Sequence, residues 1–353
     1  MKILGIETSC DETSASVVEE TGDAVRPWIA RSNVIASQVP IHREWGGVVP
    51  ELASRQHIRD ICGVVDRALD DAHATWTDIG AIAVTQGPGL VGSLLIGVSL
   101  AKAAAAAAGV PLVAVHHLAG HIESLVLENG EIPLPAVVLV VSGGHTSLYH
   151  IERPGHYTLV SRTRDDAAGE AYDKVAKLLG LGYPGGPVID RLAKTGNDRA
   201  VPLPTTRLTH ADRNAPELKG DLDFSFSGLK TAVLRYVRDR ERAGAPPLTA
   251  SEIADVSASF QRVVVTVLIE RLFDAARRFQ AKSVGIAGGV SANSRLRAEL
   301  LARGQAREMP TFVPSLQLST DNAAMIAAAG LRKFRAGHTA AIDLNADAAL
   351  PLA

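Results

Sequence analysis

The sequence predicts an α/β protein of two lobes, each built around a strand–turn–strand loop suited to a phosphate group. Three observations carry this reading. Residues 136–151, AVVLVVSGGHTSLYHI, run an apolar strand into Ser142, Gly143, Gly144 and His145 and return through an alternating strand. Residues 1–19 share that grammar: a short apolar strand, a polar turn over 7–13, and an alternating strand. A βαβ unit follows, with a strand at 81–85, a helix over about 91–108 and a strand at 111–115, which requires parallel pairing. The two hairpins imply a duplicated fold in which each half offers one loop to a shared cleft, the repeat being one of pattern rather than of residue identity.

Bulk properties set the limits. A chain of 353 residues can hold two domains, and 46% hydrophobic with 21% charged residues is globular. The formal net charge of -2 excludes general attraction to nucleic acid, so any such contact needs a local basic patch or a partner protein. Cys10 and Cys62 are too few for a disulfide framework and lack metal-finger spacing, which fits a reducing, cytoplasmic compartment. No export signal is expected at the N-terminus, and the run over 94–108 is read as too interrupted, by Gly97, Ser99 and Lys102, to span a membrane.

Taken in order, residues 28–74 read as an insertion. Within it Pro50 opens a helix whose Leu52, Ile58, Ile61, Val65 and Leu69 recur near a 3.6-residue period. In the βαβ unit, Gly87, Gly89 and Gly92 formally match G-x-G-x-x-G. The acidic residue that would hold a ribose some 20 positions on is missing, and no G-K-[ST] follows, which argues against a dinucleotide or Walker site. The next helix, 117–128, places His117 and His121 at i and i+4 on one face, where two neutral imidazoles can share a divalent ion. A zinc-protease reading needs Glu at the second position of that motif, and Leu118 stands there.

Beyond the central hairpin, Asp165, Asp166, Glu170 and Asp173 are expected at a helix start, where the helix dipole favours carboxylates. Gly182, Gly185 and Gly186 precede Asp190 in a second loop where backbone could meet a ligand. Residues 205–223 read as a long loop. Residues 223–242 enter a helix bearing Lys230, Arg235, Arg238, Arg240 and Arg242, either a phosphate-tracking face or a solvated one. Residues 249–280 are one long helix or a broken pair. Gly288 and Gly289 end another strand before Asn293, which is either a helix cap or an amide facing a nucleoside, and Asp321 reads as an N-cap aspartate.

Taken together, GIETSCDETS, GGVVPELASRQH, GPGLVGSLL, HHLAGH, VSGGHTSL, DDAAGEAYDKVAKLLGL with YPGGP, DFSFSGLKT, AGGVSANSRLR and STDNAAMIAAAG resemble the bacterial TsaD (Gcp) family from residue 1 to about 337. These are tRNA N6-adenosine threonylcarbamoyltransferases related to the KEOPS catalytic subunit. The resemblance implies an actin-like ATPase fold (sugar kinase, Hsp70, actin) of two RNase H-like lobes around a nucleotide cleft. It places an N-terminal lobe at 1–130 with the insertion at about 28–75, rejoined by a C-terminal helix at about 322–336, and a second lobe at 131–321 with an insertion at about 170–245. It implies transfer of threonylcarbamoyl from threonylcarbamoyl-AMP to the adenosine 3′ of the anticodon in tRNAs reading ANN codons.

By the same resemblance His117, His121 and Asp321 hold one divalent metal, iron first, with zinc or magnesium as alternatives. Val140, Val141, Ser142, Gly143, Gly144, Asp173, Gly186, Asp190 and Asn293 bind threonylcarbamoyl-AMP or ATP/AMP. Asp11 and Glu12 match the family's acidic pair and are candidates to accept a proton from the attacking amine. Expected partners are tRNA, a paralogous actin-like subunit of TsaB type and a small ATPase of TsaE type, with no membrane. The competing readings are a metal-dependent endopeptidase, a small-molecule kinase or ATPase on the same fold, and a non-catalytic actin-like scaffold.

Overall fold

A computed structural model describes residues 1–205, 208 and 220–352, so most of the loop expected over 205–223 lies outside the described residues. The chain divides into two compact units, the first comprising residues 1–132, 153–157 and 314–353 and the second 133–152 and 158–313.

The first unit opens with the expected hairpin, β1 (Lys2–Glu7) and β2 (Glu12–Glu20), antiparallel from Lys2 opposite Glu19 to Glu7 opposite Ser14. Next come β3 (Trp28–Ala30), β4 (Val34–Ser37), α1 (Val39–Arg43), α2 (Pro50–Asp71), β5 (Ile79–Gly87), α3 (Val91–Ala108), β6 (Leu112–His116) and α4 (His117–Asn129). The stretch read as an insertion is partly sheet, because β3 and β4 both pair with β2. The order is β3-β2-β1-β5-β6, with β5 parallel to β1 and to β6. Alternation along β1 sends Leu4 and Ile6 to the face covered by α2 and α3, and Ile3 to the opposite face. Contrary to the sequence reading, α3 is long and apolar enough by composition to cross a membrane, since Gly97, Ser99 and Lys102 do not outweigh its alanines. Its Ser93, Leu94, Gly97, Val98, Ala101 and Ala105 are buried in the unit.

The second unit repeats the theme with β7 (Ala136–Val141) and β8 (Thr146–Arg153), paired from Ala136 opposite Ile151 to Val141 opposite Thr146. Then follow β9 (His156–Arg162), α5 (Ala168–Leu178), α6 (Gly185–Ala193), α7 (Ser227–Arg242), α8 (Ala250–Arg278), β10 (Ser283–Ala287), α9 (Ser294–Ala306) and β11 (Thr311–Phe312). The sheet order is β11-β10-β7-β8-β9. The stretch expected over 249–280 forms the single helix α8, Ala250–Arg278, opened by a capping box in which Thr249 and Glu252 bond reciprocally. Phe260, Phe273, Leu268 and Leu272 of α8 are buried with Val137, Leu139 and Val141 of β7.

The chain then returns to the first unit through α10 (Leu316–Ser319) and α11 (Ala323–Arg335). Met325, Ile326, Ala327 and Ala329 of α11 cover the second face of the first sheet against Ile3, Ala81 and Val115.

Candidate metal centre and nucleotide loop

The start of α4 and the residue two positions before α11 converge within the first unit. One ligand atom each from His117, His121 and Asp321 lies within 4.8 Å of the others. His121 Nε2 is 3.2 Å and His117 Nε2 3.5 Å from Asp321 Oδ1, and the two rings meet edge to face with centroids 4.7 Å apart. The N-cap expected at Asp321 falls to its neighbour: Asn322 Oδ1 accepts from the Met325 amide, which frees the Asp321 carboxylate to turn toward the histidines.

His117 is oriented from behind by a residue the sequence reading passed over as part of a polar turn. Glu7, the last residue of β1 and fully buried, has Oε2 3.1 Å from His117 Nδ1. The same carboxylate accepts from the Thr85 hydroxyl at 2.6 Å and from the Ser9 amide. A carboxylate on Nδ1 fixes the ring and leaves Nε2 for an ion, the usual arrangement behind a ligating histidine. A buried Glu at a strand end, opposite a helix carrying H-x-x-x-H, is the signal that could have found it.

Charge follows this geometry. Burial alone would raise the Glu7 pKa, but the charge and hydrogen bond of His117 outweigh it and hold Glu7 below its usual range. Burial works against the His117 imidazolium, yet Asp321 and Glu7 lift its pKa to about 9. Burial keeps His121 low despite Asp321, and neither of its ring nitrogens has an aligned hydrogen-bond partner among the described residues. A buried imidazole without an aligned partner is costly unless something binds it, and Nε2, the nitrogen facing Asp321, is the one placed to take an ion. The donor set of two imidazoles and one carboxylate suits a divalent transition metal, so the residues fit one ion.

In the same unit Asp11, in the β1–β2 turn, is buried, and Glu12, the first residue of β2, is half-buried. Burial, with Asp11 and Asp321 nearby, lifts the Glu12 pKa well above the carboxylate range, and Ser37 donates to Glu12 Oε1 at 3.2 Å. Of the glycines at 87, 89 and 92, Gly89 packs against this turn, whereas Gly87 meets Asp347 and Gly92 meets Ser54. A Cβ on Gly89 would lie 2.6 Å from the Ser9 carbonyl, so this glycine serves close packing of backbone.

In the second unit, the β7–β8 turn exposes Gly143 and Gly144, and a Cβ on either would meet nothing within 4 Å. The turn is closed by the Ser142 amide on the His145 carbonyl at 2.8 Å and by the His145 amide on Ser142 Oγ at 3.1 Å. Among the described residues the Gly143 and Gly144 amides have no acceptor, so they are open to an anion. The side chains of Val140 and Val141 are buried, which leaves only their backbone for contact.

Of the other expected binding residues, Asp173, Asp190 and Asn293 each make a structural bond. Asp173 accepts from the Gly185 amide at 2.7 Å, and Gly186 beside it faces open space. Asp190 accepts from Ser294 Oγ at 2.9 Å. Asn293 caps α9 through the Leu296 amide and donates to Gln261 Oε1 at 2.8 Å, so the cap reading holds for this side chain. Asp165 lies outside α5 and holds the start of α7 instead, accepting from the Phe226 amide and the Ser227 hydroxyl.

A family model described as TsaD, tRNA N6-adenosine threonylcarbamoyltransferase, matches residues 30–328. The chain belongs to the TsaD family. Family members of that name are 51% identical over 99% of this chain and 98% of their own in Anaeromyxobacter dehalogenans, and 49% identical over 100% and 96% in Bacillus subtilis. Solved structures show the fold. The chain resembles the activator of 2-hydroxyisocaproyl-CoA dehydratase from Clostridium difficile with TM-score 0.51, 13% identity, and 96% and 97% of the two chains covered. It resembles full-length HypF in its phosphate- and nucleotide-bound form with TM-score 0.58 at 12% identity, covering 95% of this chain and 46% of that one. The chain thus has the actin-like ATPase fold expected from the sequence.

Proposed function

We infer that the chain transfers a threonylcarbamoyl group to the exocyclic amine of an adenosine in tRNA, the reaction named for its family. The observation that carries this is near-even identity to threonylcarbamoyltransferases along the whole length, with both the His/His/Asp group and the open glycine turn in place. The acceptor is the adenosine 3′ of the anticodon in tRNAs reading ANN codons, and the donor is threonylcarbamoyl-AMP.

That donor is a mixed anhydride with AMP as a good leaving group, so positioning and charge stabilisation dominate. The adenine amine attacks the carbamoyl carbon, the bond from that carbon to the phosphate oxygen breaks, and AMP departs with the bonding pair. The Gly143 and Gly144 amides donate to the departing phosphate. Asp11 or Glu12, ionised, accepts the amine proton as the new C–N bond forms. His117, His121 and Asp321 hold the ion, Glu7 keeps His117 aimed, and a bound divalent metal, iron first, supplies Lewis-acid charge and a fixed template.

A TsaB-type paralogue and a TsaE-type ATPase are the proposed partners, in the cytoplasm. Exposed Ile58 on α2 and Val91 and Leu95 on α3, helices that pack together, offer apolar surface for a paralogous subunit. The test is reconstitution with partners, threonylcarbamoyl-AMP and tRNA, read by nucleoside analysis. Wild type is expected to form threonylcarbamoyladenosine, with losses of about 10²-fold or more in His117→Ala and in the Asp11→Ala/Glu12→Ala pair. Full single-turnover transfer by the acidic double variant would remove those residues from the chemistry, and no modified nucleoside from wild type would remove the reading itself.

A further inference from the structure

Helix α7 carries Lys230, Arg235, Arg238, Arg240 and Arg242 with only Asp239 and Glu241 among them. Arg240 turns back to the fold, 2.8 Å from Glu252 at the start of α8. Arg235, Arg238 and Arg242 fall at i, i+3 and i+7, one stripe on the exposed side. With Thr231, Leu234 and Asp239 they line a shallow groove of about 180 Å³.

Arginines that serve this unit's packing are visibly engaged: Arg278 with Asp221, Arg295 with Asp198, Arg164 with Asp223, and Arg307 over the Phe273 ring. Among the described residues, Arg235 and Arg238 meet no carboxylate and no hydrogen-bond acceptor, and Arg242 reaches only Asp239, at 3.5 Å. Like charges at i,i+3 and i,i+4 repel, so the stripe works against helix stability. The seven-residue span covers about 10 Å of helix axis. A nucleic-acid strand presents roughly three phosphates over that length.

We propose that the Arg235, Arg238 and Arg242 face of α7 docks the phosphate backbone of the tRNA substrate. Guanidinium groups stay charged, grip phosphates through two bonds and read no base, which suits substrates that share a backbone and differ in sequence. Because the whole chain is formally -2, the attraction has to be local, and this stripe supplies it. The proposal rests on tRNA being the acceptor and adds the surface that holds it.

The test compares wild type with Arg235→Glu/Arg238→Glu in the reconstituted transfer with supplied threonylcarbamoyl-AMP. The KM for tRNA is expected to rise about tenfold or more at low salt, with kcat at saturating tRNA within about twofold. The slope of log affinity against log salt is expected to fall by about two, one for each phosphate contact removed. Arg235→Lys/Arg238→Lys is expected to keep most of the affinity. Arg277→Ala, a control at an exposed arginine already paired with Asp274, is expected to change nothing. An unchanged KM and slope, with wild type still modifying tRNA, overturns the proposal and leaves the activity standing. Loss of the partner complex on size-exclusion chromatography would assign the face to protein docking and overturn it equally. Absence of transfer by wild type would overturn the activity, and the docking surface with it.

Discussion

The imidazole of His57, on α2, is anchored at both nitrogens. Nε2 lies 2.9 Å from the Cys10 carbonyl oxygen and Nδ1 2.7 Å from the Thr13 hydroxyl. A carbonyl oxygen only accepts, so Nε2 carries the hydrogen and Nδ1 accepts from Thr13. This neutral form is the one burial favours, and burial holds the pKa below the usual 6.5 although Cys10 and nearby acids pull it upward. A histidine with a depressed folded pKa contributes stability that is complete above the ordinary value, about 6.5, and is lost as pH falls through the folded one. Urea unfolding between about pH 7.5 and 5 is therefore expected to show a steeper loss for wild type than for His57→Asn. Equal slopes would contradict the assignment. The same ring pins the loop that carries Asp11 and Glu12, so this packing residue also sets where the acidic pair stands.

At the scale of elements, α11 lies so close to the first sheet that side chains are excluded between them. A Cβ on Gly5 of β1 would sit 2.4 Å from the Ala323 carbonyl oxygen and 2.8 Å from the Ala327 nitrogen. A Cβ on Gly330 would sit 2.4 Å from that of Ala83. Both clashes involve backbone or short side chains that cannot swing away. Gly5→Ala is expected to destabilise by about 1–3 kcal/mol or more, measured by chemical denaturation. A change below about 0.5 kcal/mol, the range of neutral surface substitutions, would show that α11 can retreat. The contact matters for chemistry because Ala323 begins the helix two residues after Asp321, so the carboxylate's position depends on how tightly α11 seats.

For the whole molecule, what the sequence disclosed was local. Periodicity marked the two hairpins, the βαβ unit and the α4 helix with His117 and His121 on one face, because each pattern repeats within a few residues. Pairings across long separations were not legible from residues alone. Glu7 meets His117 across 110 positions, and Asp165 crosses about 60 to hold the start of α7. Short β3 and β4 carry too few residues to show a period, and their partner β2 satisfies them only in three dimensions. Asp321 and Asn322 are both good helix caps, and the backbone course decides which one serves.

The central claim is that His117, His121 and Asp321 hold one divalent ion, and metal content reaches it most directly. Purified wild type, His121→Gln and Asp321→Asn, each shown to be folded by its unfolding transition, would be analysed by mass spectrometry for iron, zinc and magnesium. About one ion per chain in wild type and close to none in either variant is the expected result, since removing a ligand from a three-residue site leaves too little to retain the ion. Equal content in all three proteins, or none in wild type after exposure to each of those metals, would contradict it.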